Sequence, residues 1–252
     1  MPEVPVELRA DDQSALSGTW RVPAGPGPWP CVACIHGLTL TRSIFDEAAA
    51  ALEAQGVASL RLELRGHGQS GGALKEQGFA DQVADVRAAF QGLALLPGAD
   101  PARRGLLGFS MGGAMAALLA QSDPGVKALA VWSPLLRTGF WDAERRQHYG
   151  EPSDDYQAIW DGILVNRRLF TEALEMDPYQ AALAYAGPFF VCHGGKDRNH
   201  PQARSLELAA ARQAAGRPVA SYFPPQSGHR YHHAGERATR GALSAAFFKA
   251  SL

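Results

Sequence analysis

Cysteine, net charge and long apolar runs are scarce in this 252-residue chain, and each shortage excludes something. The three cysteines are odd in number and fall in apolar segments that read as strands, which fits a reducing compartment. Cys31-Val32-Ala33-Cys34 has C-x-x-C spacing, but residues three apart on a strand face opposite sides of a sheet. Neither a shared metal nor a redox pair is therefore expected there. A formal net charge of −1 argues against nucleic acid or an anionic membrane as the main partner. No apolar run approaches the length of a membrane span. Met1-Pro2-Glu3-Val4-Pro5 has neither a basic segment nor an apolar core, so no secretory signal is visible and the chain reads as cytoplasmic. Metal-ligand clusters and internal repeats are also missing. Gly66-His67-Gly68-Gln69-Ser70-Gly71 matches G-x-G-x-x-G by spacing, but no helix follows it at once, so it is a weak phosphate-binding signal. No metal and no cofactor are expected.

What is present suits one α/β domain over residues 1–252, with 46% hydrophobic residues to fill a core. Two strands, 4–9 and 16–22, open the chain. Strands and helices then alternate: strand 31–35, helix 45–54, strand 57–64, helix 79–95, strand 105–109, a small-residue helix from 113, and strand 126–132. Strand 189–192, helix 202–215, strand 219–223 and helix 235–249 complete an eight-stranded pattern. Repeated βα units predict a mostly parallel sheet with helices on both faces. The stretch from about 135 to 187 breaks the rhythm. It holds eight of the 22 aromatics in about a fifth of the length, with nine acidic and five basic residues. An insertion this long does not stay structureless in a compact domain, so a small helical cap over the carboxyl ends of the strands is expected. Trp141, Trp160 and Phe170 are the rings expected to line a substrate pocket beneath it, as opposed to merely anchoring the cap.

The chemistry-bearing motif is Gly108-Phe109-Ser110-Met111-Gly112, set between a strand and a helix. In that context G-x-S-x-G is a nucleophile elbow: a strained turn that pushes the serine hydroxyl out of the sheet at a helix N-terminus. A serine hydroxyl needs a base, and the base needs an orienting carboxylate. In the chain order Ser, Asp, His, the acid is Asp197 in His193-Gly194-Gly195-Lys196-Asp197, on the loop leaving an apolar strand. Asp142, Asp155 and Asp177 follow no sheet strand. The base is His229 in Ser227-Gly228-His229. His232 and His233 compete from the start of the last helix, His200 follows Asp197 too closely, and His67 belongs to a Gly-rich turn upstream. Two backbone N–H groups are needed for the oxyanion, and Met111 and Leu38 are expected to supply them. His36 is read as holding the Leu38 loop by hydrogen bonds.

Taken in order, His36-Gly37, Arg65-Gly66-His67-Gly68-Gln69-Ser70, Gly108-Phe109-Ser110-Met111-Gly112-Gly113, His193-Gly194-Gly195-Lys196-Asp197 and Gly228-His229 resemble the α/β-hydrolases over nearly the whole chain. Within that superfamily the chain is similar to small cap-containing carboxylesterases of the cinnamoyl and feruloyl esterase type. It departs from them at Met111 and Leu38, where they often carry glutamine and phenylalanine, and at Asn199-His200-Pro201, which is more polar than their usual apolar-Pro ending. The resemblance implies a serine hydrolase acting on a small-molecule ester through an acyl-enzyme on Ser110. Thioesterase, amidase and peptidase chemistry use the same machinery and stay open, as does a non-catalytic ligand-binding member of the fold.

Overall fold

A computed structural model describes residues 3–139, 147, 155–159 and 162–252. Its frame is an eight-stranded sheet in the order β1-β2-β4-β3-β5-β6-β9-β10. The strands are β1 Val4–Arg9, β2 Ala15–Arg21, β3 Trp29–Ile35, β4 Ala58–Leu62, β5 Ala99–Phe109, β6 Val126–Trp132, β9 Phe189–Cys192 and β10 Ala220–Tyr222. The β1–β2 and β2–β4 pairs are antiparallel, and the remaining pairs are parallel.

Side-chain alternation divides the core in two. Cys31, Ala33, Ile35, Leu106, Leu129 and Val131 face one layer, together with Phe79, Val86 and Phe90 of α2 (Phe79–Leu93) and the small residues of α3 (Met111–Ser122). Val32, Cys34, Leu107, Phe109, Ala130 and Trp132 face the other, together with Phe45, Ala48 and Leu52 at α1 (Asp46–Ala54) and Phe248 of the C-terminal helix Ala234–Ser251. Helices therefore cover both faces, as the period-two strands and 3.6-period helices require. Cys31 and Cys34 fall in opposite layers as expected, and burial pushes each thiol up to about 12.

The insertion after β6 is only partly within the described residues. It contains an antiparallel pair, β7 Tyr156–Ile159 and β8 Ile163–Asn166, whose turn passes Gly162 at φ 76°. The pair adds to the expected helices, which follow as α4 Arg168–Leu174 and α5 Pro178–Ala184. Asp177 caps α5 by accepting from the Gln180 N–H at 3.0 Å, with Pro178 at the first helical position. Glu172 accepts the Ala80 N–H at 2.9 Å, and Asn166 donates to the Lys75 carbonyl at 3.0 Å. These bonds tie the insertion to residues 75–80, which follow the carboxyl end of β4. Helix α5 packs on α3, and the Tyr185 hydroxyl donates to the Val126 carbonyl at 3.0 Å. The last part of the insertion thus joins the layer covering the sheet.

Candidate active site

Four loops meet at the carboxyl edge of the sheet, and each leaves a strand. Ser110 follows β5 with φ 56° and ψ −120°, a conformation L-residues rarely adopt. Tight packing over-determines it. The Ser110 N–H donates to the Trp132 carbonyl at 2.9 Å, and its own carbonyl accepts from Leu135 at 3.0 Å. A Cβ on Gly108 would stand 2.4 Å from the Gly112 carbonyl oxygen, and one on Gly112 would stand 2.2 Å from that of Ile35. Strand, turn and helix fit only with both positions bare, which is the physical content of the two glycines in the motif.

His229 and Asp197 complete a chain of hydrogen bonds. His229 Nε2 lies 3.0 Å from Ser110 Oγ, and its Nδ1 lies 2.8 Å from Asp197 Oδ2. The Asp197 side chain has no exposed surface. Burial pushes its carboxyl up, but hydrogen bonds from His193 and His229, the His229 charge and the His200 N–H outweigh burial and hold it well below the usual carboxylate range. His193 Nε2 is 3.1 Å from Asp197 Oδ2, and the N–H groups of Asn199 and His200 donate to Oδ1 at 2.8 and 3.0 Å. An ionised carboxylate on Nδ1 fixes the tautomer: Nδ1 carries the proton and Nε2 presents a lone pair to the serine.

The loop bearing Leu38 is pinned by two buried histidines. His36 Nε2 accepts from the Leu64 N–H at 3.1 Å, so Nδ1 carries the proton and donates to the Gly37 carbonyl at 2.8 Å. His67 Nε2 accepts from the Thr39 N–H at 3.2 Å while Nδ1 donates to the Arg65 carbonyl at 3.0 Å. Burial first, and the nearby His67 second, push His36 down to about 3, and burial also lowers His67. Both stay neutral, as their acceptor roles require. A Cβ on Gly37 would lie 2.9 Å from Ser110 Cβ, so this loop abuts the Ser110 turn. Among the described residues, the N–H groups of Leu38 and Met111 donate to no protein acceptor. They are free to receive an oxyanion.

The competing residues lie elsewhere. Asp177 is the α5 cap, while His233 caps the last helix by accepting from Glu236 N–H at 3.3 Å. His232 is exposed. Phe170 is only 3% exposed and belongs to the main core cluster with Phe79 and Val86, so it reads as an anchor for α4. Trp141, Trp160 and Asp142 lie outside the described residues. Among those described, no three potential metal ligands gather, and no helix is long and apolar enough to cross a membrane.

Three residues of the site are missed by sequence reasoning. His193 supports Asp197, as above, and its Nδ1 is 2.8 Å from Ser205 Oγ. Arg240 is 2% exposed and stacks over Trp132 at 3.7 Å and Tyr231 at 4.3 Å. It backs the loop two residues beyond His229, and burial lowers its guanidinium to about 10. His200 follows Asp197 too closely to be a strand-end base, yet its ring turns back to place Nε2 3.4 Å from Ser110 Oγ. The unusual polarity of Asn199-His200-Pro201 marks the segment, but not where the ring points.

Comparison with known proteins agrees with the architecture. A family described as "Serine aminopeptidase, S33" matches residues 27–146, which include Leu38, Ser110 and Met111. An uncharacterised protein found in two strains of Mycobacterium tuberculosis is 32% identical over 227 residues, covering 89% of this chain and 71% of its own. Among solved structures, Est1E from Butyrivibrio proteoclasticus with bound ferulic acid superposes with a TM-score of 0.83 at 21% identity, covering 97% of this chain and 99% of its own. The esterase domain of a Rhodothermus marinus protein gives 0.77 at 20% identity, covering 99% of each. The chain belongs to one family with the mycobacterial protein. It has the α/β-hydrolase fold, shared with Est1E and with the Rhodothermus marinus esterase domain.

Proposed function

We propose that this chain is a serine hydrolase of carboxylic esters, with Ser110 as nucleophile, His229 as general base and Asp197 as its orienting acid. The observation carrying this reading is the unbroken path from Ser110 Oγ through His229 to a buried, ionised Asp197. In acylation, the Oγ proton passes to His229 Nε2 as Oγ bonds to the ester carbon and the carbonyl electron pair moves onto oxygen. The N–H groups of Leu38 and Met111 hold that oxyanion. The intermediate collapses, and the alcohol leaves with the proton from His229. Water then repeats the sequence in reverse order: its proton goes to His229, the acyl carbon takes its oxygen, and Oγ leaves reprotonated. The insertion over this edge, through Trp141 and Trp160, shapes the acyl or alcohol pocket, with Phe170 holding it in place.

Peptidase chemistry is the second reading, and the description of the matched family favours it. The discriminating experiment is turnover of p-nitrophenyl esters, acyl thioesters and aminoacyl anilides by the wild-type chain and by Ser110→Ala. Ester cleavage that exceeds anilide cleavage and vanishes in Ser110→Ala supports the proposal. Anilide cleavage in excess selects the peptidase, and ester cleavage surviving in Ser110→Ala removes the assigned nucleophile.

A further inference from the structure

Two imidazoles reach Ser110 Oγ, and the reaction above uses only one. His229 Nε2 stands 3.0 Å from that oxygen and His200 Nε2 3.4 Å, with the two rings perpendicular (82°) and 5.0 Å apart. They are not equivalent. His229 has the Asp197 carboxylate on its other nitrogen, so its Nε2 is a lone pair and takes the serine proton. Among the described residues, no carboxylate meets the His200 ring. Its contacts with Asp197 and His193 run through its backbone, whose N–H donates to Asp197 Oδ1 and whose carbonyl accepts from His193 Nε2 at 3.1 Å. These bonds hold the loop in which the ring faces the serine.

The proton inventory then leaves one arrangement without opposed lone pairs. Oγ has one proton, and it points at His229. A bare His200 Nε2 would face an Oγ lone pair and repel it, whereas an Nε2–H would donate to it. We propose that His200 is a catalytic residue that donates its Nε2–H to Ser110 Oγ, a second hydrogen bond on the nucleophile that no step of ordinary triad chemistry requires. This rests on the assignment of Ser110 as nucleophile. With one bond given to His229 and one accepted from His200, the hydroxyl keeps a single lone pair for bonding to the ester carbon. As the serine proton moves to His229, the charge developing on Oγ strengthens the bond from His200. The same bond assists Oγ when it leaves the acyl carbon in deacylation. His200 keeps its proton throughout, so no atom or charge is added to the balance.

The environment keeps the donor neutral. Burial, and then the charge of His229, push His200 down to about 3, so it does not become a second cation beside the imidazolium that forms during turnover. A contact of 3.4 Å is long for a hydrogen bond, and such contacts often tighten only when substrate is bound. An effect of roughly tenfold is therefore expected, below the roughly 10²-fold or more of an oxyanion-hole donor.

The test compares His200→Leu, which fills space without a donor, with His200→Gln, which restores an N–H near the Nε2 position. Two rates are read: kcat/KM on p-nitrophenyl acetate, and the second-order rate of phosphonylation by a fluorophosphonate, with the adduct site mapped. Melting temperature checks that each variant is folded. The proposal expects about a tenfold fall in both rates for His200→Leu, carried by kcat with little change in KM, and recovery to within about threefold in His200→Gln. Equal rates in wild type and His200→Leu overturn it, as does a fall that His200→Gln fails to rescue. Failure of the underlying reading would look different: wild-type chain hydrolysing esters with no adduct at Ser110.

Discussion

His36→Gln should flatten the acid dependence of stability by about 2 kcal/mol between pH 7 and pH 5. His36 is fully buried, and its neutral form is built into the fold: Nε2 accepts the Leu64 N–H and Nδ1 donates to the Gly37 carbonyl. The folded chain protonates it only near 3, the unfolded chain at the ordinary 6.5. Between those values the unfolded state binds the extra proton. Stability is therefore full above about pH 6.5, falls as the pH drops, and stops falling on this account only near 3. At pH 5 the unfolded chain is protonated some 30-fold over, which at about 1.4 kcal/mol per tenfold amounts to about 2 kcal/mol. Carboxylates with unfolded values near 4 contribute little above pH 5, so the window isolates histidines. Glutamine cannot take up the proton, while His67 and His200 titrate alike in both proteins and cancel. Urea unfolding at pH 7, 6, 5.5 and 5 gives the difference directly. The variant is expected to be weaker at pH 7, by about 1–3 kcal/mol for disturbed buried hydrogen bonds, yet less acid-sensitive. Parallel curves of stability against pH would refute the claim that His36 is held neutral.

Three further outcomes follow from the same geometry. Ser110→Gly and Ser110→Ala should both lose activity, by on the order of 10⁴-fold or more, but the glycine variant should be the more stable by about 1 kcal/mol, because φ 56° strains any residue with a Cβ; equal melting temperatures would contradict the strain. His229→Ala should match Ser110→Ala in kcat/KM, whereas Asp197→Asn should be milder, and a worse loss in His232→Ala than in His229→Ala would show the base misassigned. Phe170→Ala should cost about 3–5 kcal/mol in denaturant unfolding with ester preference unchanged, while Trp160→Ala should shift preference among acyl chain lengths more than melting temperature.

Much of this site is legible in the sequence because its residues sit where backbone geometry is most constrained. Ser110 is bracketed by glycines that strand and helix cannot approach one another without, and Asp197 and His229 follow the short strands β9 and β10 in a fixed order. Strand alternation likewise separates Cys31 from Cys34 without any structure. What escapes depends on tertiary path. His200 lies three residues past Asp197, and only the fold of that loop, bonded through Asp197 and His193, brings its ring back to the serine. Arg240 belongs to no motif, and only the fold sets it over Trp132 and Tyr231. The β7–β8 pair carries a local signal, Asp161-Gly162 between two apolar runs, but the aromatic and acidic composition around it masks the alternation.

The most direct test of the account is the site of covalent capture. The wild-type chain is treated with a fluorophosphonate, digested and mapped by mass spectrometry, with Ser110→Ala treated alongside. One adduct per chain on Ser110, absent from Ser110→Ala, is the expected result. An adduct on a different serine, or ester turnover that continues with Ser110 unmodified, would contradict the assignment of Ser110 as the nucleophile.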